Sequence, residues 1–283
     1  MSVANFKPTV WSAELFQALD KSHVLVNLCN RDYEGDITAY GDQVKINAVG
    51  DVTVSNYAPN VTSITPQQLT AAQTILEIDQ AKYFAFYIDD VDQAQTKPKL
   101  MGEAMRKSAY ALADTADQWV AGFNSQAGAT VTSTGIQSDG GNVLAVLANA
   151  ALELDLENVP AQGRWIIIPP WFHQRLITAE VLQTDGSIDA NATYRNGYVG
   201  KAYGFDIFTS NNLSTGISAV GARSHYGMAG TARAMSFAEQ VVKLEAYRPE
   251  NSFSDALKGL HVYGAKVVDP GALVRLNISD TGM

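Results

Sequence analysis

The sequence is poor in cysteine, in charged residues and in long apolar runs. Its 283 residues contain one cysteine, Cys29, so the chain can form neither an internal disulfide nor a cysteine-rich metal site. No run of about 18 consecutive apolar residues occurs, so the sequence predicts no membrane-spanning helix. The first residues lack a charged segment followed by an apolar one, which argues against a secretion signal. We therefore expect a soluble protein that is made in the cytoplasm.

Positive charge is also scarce. The 20 Lys and Arg residues face 29 Asp and Glu residues, which gives a net charge of −9. The basic surface of a dedicated DNA-reading protein is therefore not expected. Charged residues make up 17% of the chain, which is below the ~25% that is usual for soluble proteins. This shortage of polar surface predicts that part of the surface is buried between subunits.

Short motifs for catalysis or ligand binding are missing as well. The histidines, His23, His173, His225 and His261, do not have the spacing of a helical zinc pair. The sequence has no Gly-x-Ser-x-Gly elbow, no phosphate-binding loop and no dinucleotide fingerprint. The acidic segment 89–92 lacks the glycine and glutamate that a calcium loop requires. We predict no catalytic, cofactor-binding or metal-binding residue, although many enzymes have no short fingerprint.

The first eighty residues predict elements that cannot form a core by themselves. A loose helical spacing of apolar residues over 12–28 indicates an arm, packed on its own domain or on a neighbouring subunit. Apolar and polar residues alternate over 41–57, which predicts a hairpin with its turn at Gly50 and Asp51. A further strand is predicted at 74–78. A ribbon of this polarity needs a partner surface.

The strongest pattern in the sequence predicts a long helix over 97–123. Apolar residues recur there three and four positions apart for about seven turns. Pro98 suits the first turn, and Gly122 marks the end. An apolar, aromatic strand at 82–88 precedes this helix. No Lys or Arg occurs over 108–163, so positive charge is segregated along the molecule.

The second half of the sequence alternates strands with helices and then returns to strands. This order predicts a compact α/β module followed by a strand-rich segment. We predict helices at 142–158 and 171–182, and strands at 165–168, 200–208, 233–237, 241–247, 258–268 and 272–276.

Three short segments have patterns that are found together in one family. Residues 164–170 read Arg-Trp-Ile-Ile-Ile-Pro-Pro, residues 199–210 form a glycine-flanked strand, and residues 260–270 run from Leu-His-Val-Tyr-Gly to Asp-Pro. Together with the order of the elements, these segments resemble the Hong Kong 97-like major capsid protein of tailed phages. The likeness covers essentially the whole chain, and it rests more on the order of elements than on any single segment.

The resemblance implies an α+β fold of the Hong Kong 97-like type, built from named parts. The ribbon would be an extended E-loop, and the long helix would be the spine of the P-domain. The implied parts are an N-terminal arm at 1–34, the E-loop hairpin at 35–81, the first part of the P-domain at 82–129, an α/β A-domain at 130–229, and the P-domain return strands with the C-terminal strand at 230–283.

The resemblance also implies a structural protein of the virion, with no enzymatic activity and no cofactor. Copies would form hexamers and pentamers that close into the icosahedral head shell around phage double-stranded DNA. Other implied partners are a separate scaffolding protein, a portal, an optional decoration protein, and DNA held without sequence-specific contact; no membrane is involved. A net charge of −9 suits a wall that does not adsorb packaged DNA. On this interpretation, the arm at 1–30 and the ribbon at 41–80 lie on adjacent subunits.

Charged residues that contact neighbouring subunits can be proposed only by class. They must be able to pair across an interface, and the alternative for each is ordinary solvated surface. The candidates are Lys45 and Asp51 in the ribbon, and Arg106, Lys107, Arg233, Lys243 and Arg248 in the P-domain region.

Three other functions stay open at this point. An encapsulin-type nanocompartment shell has the same fold and would hold enzyme cargo. Another phage structural part, such as a tail or decoration protein, would form tubes or small oligomers. An α/β enzyme without a recognisable motif would be a compact oligomer with a deep apolar pocket.

Overall fold

The architecture is taken from a computed structural model of the chain. Within the described residues, no helix is both long and apolar enough to cross a membrane. The structure describes residues 23–33, 40–49, 54, 56, 59, 71–89, 100–136, 141–179, 198–217, 223–248 and 254–280.

The predicted long helix is confirmed as α1 (Leu100–Ala121), which has 22 residues. One face of it is buried because Met105, Ala109, Leu112 and Ala116 recur at helical spacing. The α-helix ends immediately before Gly122, the residue predicted to mark its end, and the chain continues as a 3-10 helix, Gly122–Gln126.

A three-stranded antiparallel sheet lies beside α1. It consists of β3 (Gln80–Asp89), β10 (Met235–Tyr247) and β11 (Ser254–Val267), in the order β10-β11-β3. The prediction of two separate strands at 233–237 and 241–247 is wrong, because β10 is one strand with a register shift between Val241 and Lys243. A bulge of this kind breaks the alternation of side chains, and the sequence pattern therefore reads as two strands.

The side chains of β3 divide between the two faces of this sheet. Phe84 and Phe86 point towards α1 and pack with Met105, Ala109 and Leu257. The next residues along the strand, Tyr83 and Tyr87, lie on the opposite face.

The ribbon is formed by β1 (Gln43–Val49) and β2 (Ala71–Glu77), which pair antiparallel. The sequence predicted instead that the first strand turns back at Gly50 and Asp51 to pair with 52–55. The described partner of β1 is β2, with Val49 opposite Ala71. A short alternating pattern identifies a strand without identifying its partner.

The apolar face of the ribbon packs on the three-stranded sheet. Val44, Ile46, Leu76 and Ile78 are buried in one cluster with Ala238 of β10 and Val262 of β11. At Gly264 of β11 the sheet backbone approaches the ribbon so closely that a Cβ atom would lie 2.1 Å from the backbone oxygen of Glu77.

We expect the substitution Gly264→Ala to destabilise the protein by about 1–3 kcal/mol, because the clashing atom belongs to the backbone and cannot rotate away. Urea denaturation of the unassembled protein measures this loss. Gly122→Ala is the matched control: no atom lies within 4 Å of its added Cβ, so a stability change within about 1 kcal/mol is expected. Equal stabilities of the two variants would contradict the close approach of the ribbon.

The α/β module is built on a second, mixed sheet. In the described residues its strand order is β4-β12-β9-β5-β7-β6, with β8 paired to β9. Its strands are β4 (Ala129–Ile136), β5 (Trp165–Ile168), β6 (Tyr198–Ala202), β7 (Phe205–Thr209), β8 (Thr215–Ile217), β9 (Arg223–Gly230) and β12 (Leu273–Asp280).

The predicted single strand at 200–208 is a tight hairpin. Its strands, β6 and β7, pair antiparallel around a turn at Tyr203 and Gly204. Both turn residues have positive φ angles, 52° and 80°, as two-residue hairpin turns require. The sequence does not reveal this turn, because an aromatic residue such as Tyr203 rarely adopts a positive φ angle.

The helices α2 (Val143–Leu156) and α3 (Pro170–Thr178) confirm two further predictions, although α3 ends before the predicted 182. α2 packs on β4 and β12. The C-terminal strand β12 pairs with β4 on one side and with β9 on the other, so it belongs to the module's sheet and not beside α1.

Candidate assembly surfaces

The predicted contact residues do not form one cluster. Lys45 is exposed on β1, Arg106 and Lys107 are exposed on α1, and Arg248 is exposed after β10. Among these residues only Arg106 and Lys107 share an element.

The three other candidates have different outcomes. Arg233 already has a partner within its own chain, because its Nε donates a hydrogen bond to Asp269 Oδ2 at 2.9 Å. Lys243 lies on β10 beside the register shift, and its side chain is outside the described set. Asp51 is outside the described residues.

The described part of the arm is buried in its own subunit. The arm forms a 3-10 helix, Val26–Leu28. Residues 23–25 are not helical, although a helical spacing was predicted over 12–28. Leu25 and Leu28 join the main core. For these residues, the prediction that the arm lies on an adjacent subunit is wrong.

One buried carboxylate explains why the arm folds back. The backbone N–H groups of Val24 and Val26 donate hydrogen bonds to the two Asp117 carboxylate oxygens, at 2.8 and 3.1 Å. Asp117 projects from α1, so it fastens the arm to that helix. A charged residue on the buried face of a predicted helix is the sequence signal that could have located this anchor.

The ribbon is also covered by its own chain, at its base. The buried apolar side chains of β1 and β2 rest on β10 and β11. The prediction that this face lies on an adjacent subunit is therefore wrong for Val44, Ile46, Leu76 and Ile78. The segment between the two strands contains 50–70, most of which lies outside the described residues.

A buried ionic cluster joins the arm, α1 and the three-stranded sheet. His23 Nε2 lies 3.3 Å from Glu239 Oε2, and His23 Nδ1 lies 3.6 Å from Asp117 Oδ1. Glu239 is also 3.0 Å from His261 Nε2, and Arg31 Nη2 donates to its other oxygen at 2.7 Å. No sequence pattern connects these residues, since they lie far apart along the chain.

The charges in this cluster stabilise one another. Burial by itself would lower the pKa of His23, but the carboxylates of Asp117 and Glu239 outweigh it and raise the pKa to about 9. Burial would raise the pKa of Glu239, but His23 and His261 hold that pKa far below its usual range. His23 is therefore a buried cation and Glu239 a buried anion at neutral pH.

The outer face of β3 carries uncovered aromatic rings. The side chains of Tyr83 and Tyr87 are 79% and 72% exposed. Among the described residues β3 is the edge strand of its sheet, and a shallow groove between β3 and α1 is lined by Lys82, Lys107 and Leu112. Large apolar surface beside an open strand edge is typical of a protein that contacts further chains.

No group of three potential metal ligands occurs within the described parts of the chain. The buried side chains of His23 and His261 already face carboxylates: His23 lies beside Asp117 and Glu239, and His261 lies beside Glu239.

The family comparison decides between the open functions. The model of a family described as phage capsid protein matches residues 71–276, which is well over half of the chain. The chain belongs to this phage capsid family. No curated protein matches its sequence.

Solved structures agree with this membership. The capsid protein is similar to a chain of Mycobacterium phage Che8, with 31% identity, a TM-score of 0.70 and coverage of 90% of both chains. It is similar to the capsid structure of cyanophage P-SCSP1u, with 20% identity, a TM-score of 0.67 and coverage of 94% and 88%. It is also similar to a chain in the asymmetric unit of the bacteriophage PhiM1 mature capsid, with 14% identity and a TM-score of 0.64. That match covers 92% of this chain and 88% of the other.

The predicted fold class is thereby confirmed as α+β and Hong Kong 97-like. This major capsid protein assembles with further copies of itself into the head shell, and its place is in the virion.

Proposed function

We propose that this capsid protein forms hexamers and pentamers, and that these close into an icosahedral shell around phage double-stranded DNA. The observation that carries the proposal is the 31% identity to a phage chain over 90% of both lengths. The exposed rings of Tyr83 and Tyr87 on β3 support it, because exposed apolar patches mark sites of contact between protein chains. Individual contacts can be weak, since closure of the shell makes them multivalent.

The parts of the subunit have different proposed roles. We propose that α1 and the three-stranded sheet form the rigid P-domain, predicted over 82–129 and 230–283. The module predicted at 130–229 would be the A-domain and point towards the capsomer centre, together with β12. The arm predicted at 1–34 and the ribbon predicted at 35–81 would be the N-arm and E-loop.

The proposed partners follow from the shell. A separate scaffolding protein would guide assembly, a portal would occupy one vertex, and a decoration protein could bind outside. The inner wall would hold DNA without sequence-specific contact, and the net charge of −9 supports this weak attraction. The protein would be made in the host cytoplasm and act as a structural component without catalysis.

Electron microscopy of negatively stained protein tests the proposal. The protein is purified alone and after co-expression with a candidate scaffold. We expect closed polyhedral shells, or rings of five and six subunits. A monodisperse dimer or tetramer under every condition would overturn the proposal.

Replacing residues 50–70 by Asn-Gly tests the role of the ribbon beyond its base. Val49 and Ala71 are directly opposite each other, so a two-residue turn can join their strands. We expect a folded subunit, since the buried base is retained, and a yield of closed shells that falls at least tenfold. A normal yield of shells would show that this segment makes no essential contact between subunits. Circular dichroism verifies that the variant is folded.

A further inference from the structure

The helix α2 is apolar on both of its faces. Its inner face packs into the main core through Val143, Leu147, Ala150 and Leu154. A helix that is apolar all round normally lies inside a protein. α2 nevertheless lies on the surface of the subunit, so half of its apolar residues face outwards.

The outward residues form a regular stripe. Leu144, Ala148, Leu152 and Leu156 recur every four residues and are exposed. The leucines are 36%, 52% and 66% exposed. Side chains four residues apart on a helix lie next to each other, so the stripe is a continuous apolar ridge. We call these four residues the α2 ridge.

The surroundings of the α2 ridge are acidic. No Lys or Arg occurs over 108–163. Glu153 and Glu157 lie next to the ridge in the sequence. Asp155 between them has a side chain that is 63% exposed and is paired with Arg164 at 2.6 Å, so Glu153 and Glu157 supply the negative charge beside the ridge. A partner surface that suits this ridge would combine apolar groups with positive charge.

Such a surface lies at the other end of the same sheet. The β6–β7 hairpin presents Tyr203 at its turn, 52% exposed, and Lys201 beside it. The Lys201 side chain is 72% exposed and pairs at 3.2 Å with Asp206 of the same hairpin, whose side chain is 22% exposed. α2 packs over β4 and β12, while β6 is the strand furthest from β4. Five strand spacings of about 4.8 Å separate the edge strands, or roughly 24 Å.

We propose that the α2 ridge docks on the β6–β7 hairpin of a second copy of this chain. The two surfaces differ and lie at opposite ends of the module, so the contact is head-to-tail. Head-to-tail contacts repeat from one copy to the next and generate rings. This inference rests on the proposed function and names the contact that joins modules within one capsomer.

Disulfide crosslinking tests the contact directly. Leu152→Cys and Tyr203→Cys are combined in one chain and oxidised under mild conditions. The native Cys29 does not interfere, because it is buried and its burial raises the pKa of the thiol to about 12. We expect a ladder of crosslinked species that ends at five and six subunits, and only monomers from either single variant.

The single variants distinguish the alternatives. Crosslinked dimers from Leu152→Cys alone would mean that two ridges meet each other, which would overturn the head-to-tail contact. Monomers only from the double variant, within shells visible by microscopy, would overturn the inference and leave the proposed function intact. Absence of rings and shells in the wild type would overturn the proposed function instead.

A charged substitution gives an independent measurement. We expect Leu152→Asp with Leu156→Asp to remain folded, since both residues are exposed, and to lower the yield of rings and shells at least tenfold. Ile217→Asp is the control, because Ile217 is 83% exposed on β8, outside both proposed surfaces. Equal yields from the ridge variant and the wild type, or equal losses from the ridge variant and the control, would contradict the proposal.

Discussion

Glutamine in place of Glu239 is expected to lower the free energy of unfolding by about 3–5 kcal/mol, because it removes one partner of a buried ionic cluster. The Glu239 carboxylate lies within 3.3 Å of His23, within 3.0 Å of His261 and within 2.7 Å of Arg31. The amide cannot neutralise them, so positive charge would remain buried without compensation. Urea denaturation of the unassembled protein measures the loss.

Glu245→Gln is the matched control for this substitution. Glu245 lies on the same strand and pairs with Lys258 at 2.8 Å, but both side chains are partly exposed. Such an exposed ion pair contributes little to stability, because water and salt screen it. If Glu239→Gln and Glu245→Gln lower the free energy of unfolding by the same amount, the buried cluster does not stabilise the subunit.

Raising the pH is expected to remove about 3 kcal/mol of stability, since the folded pKa of His23 is about 9 and its ordinary value is 6.5. A group whose pKa is raised by folding contributes its full stabilisation below the unfolded value. The contribution is lost as the pH rises from 6.5 through 9. The charged groups that face His23 are Asp117 and Glu239, and Arg31 and His261 lie on the other side of Glu239.

At acid pH, stability changes in the opposite direction, because there it falls as the pH is lowered. The pKa of Glu239 is lowered by folding, so its contribution is complete above about 4.5 and is lost progressively as the pH falls below that value towards the folded pKa. Stability measured against pH should therefore have a plateau between about 5 and 6.5. In His23→Gln the decline between 6.5 and 9 should disappear. An unchanged decline in that variant would assign it to another group.

Periodic elements could be predicted from the sequence, and elements fixed by distant contacts could not. α1 is predictable because its apolar face repeats over many turns. The strand β9 has no such pattern, since it contains Gly227 and Gly230, which disfavour strands in isolation. These glycines are required because an added Cβ would lie 2.7 and 2.6 Å from the backbone oxygens of Ile167 and Ala272. Only the folded sheet reveals that requirement.

The assembly surfaces divide in the same way. Exposed charges such as Arg106 could be proposed from the sequence, because charged side chains are usually solvated. The ionic cluster could not be predicted from the sequence. His23 and Glu239 are 216 positions apart, and only the structure shows that they meet in one buried site. The α2 ridge has a sequence signal, namely a helix with leucines on both faces, but the structure is needed to tell which face is covered.

The position of β12 affects when a subunit becomes complete during synthesis. β12 spans 273–280 and lies between β4 and β9, which are made much earlier. Until β12 has been made, the facing edges of β4 and β9 lack the strand that joins them. A nascent chain therefore cannot present a finished module to its neighbours. Assembly of the module waits until β12 has been made.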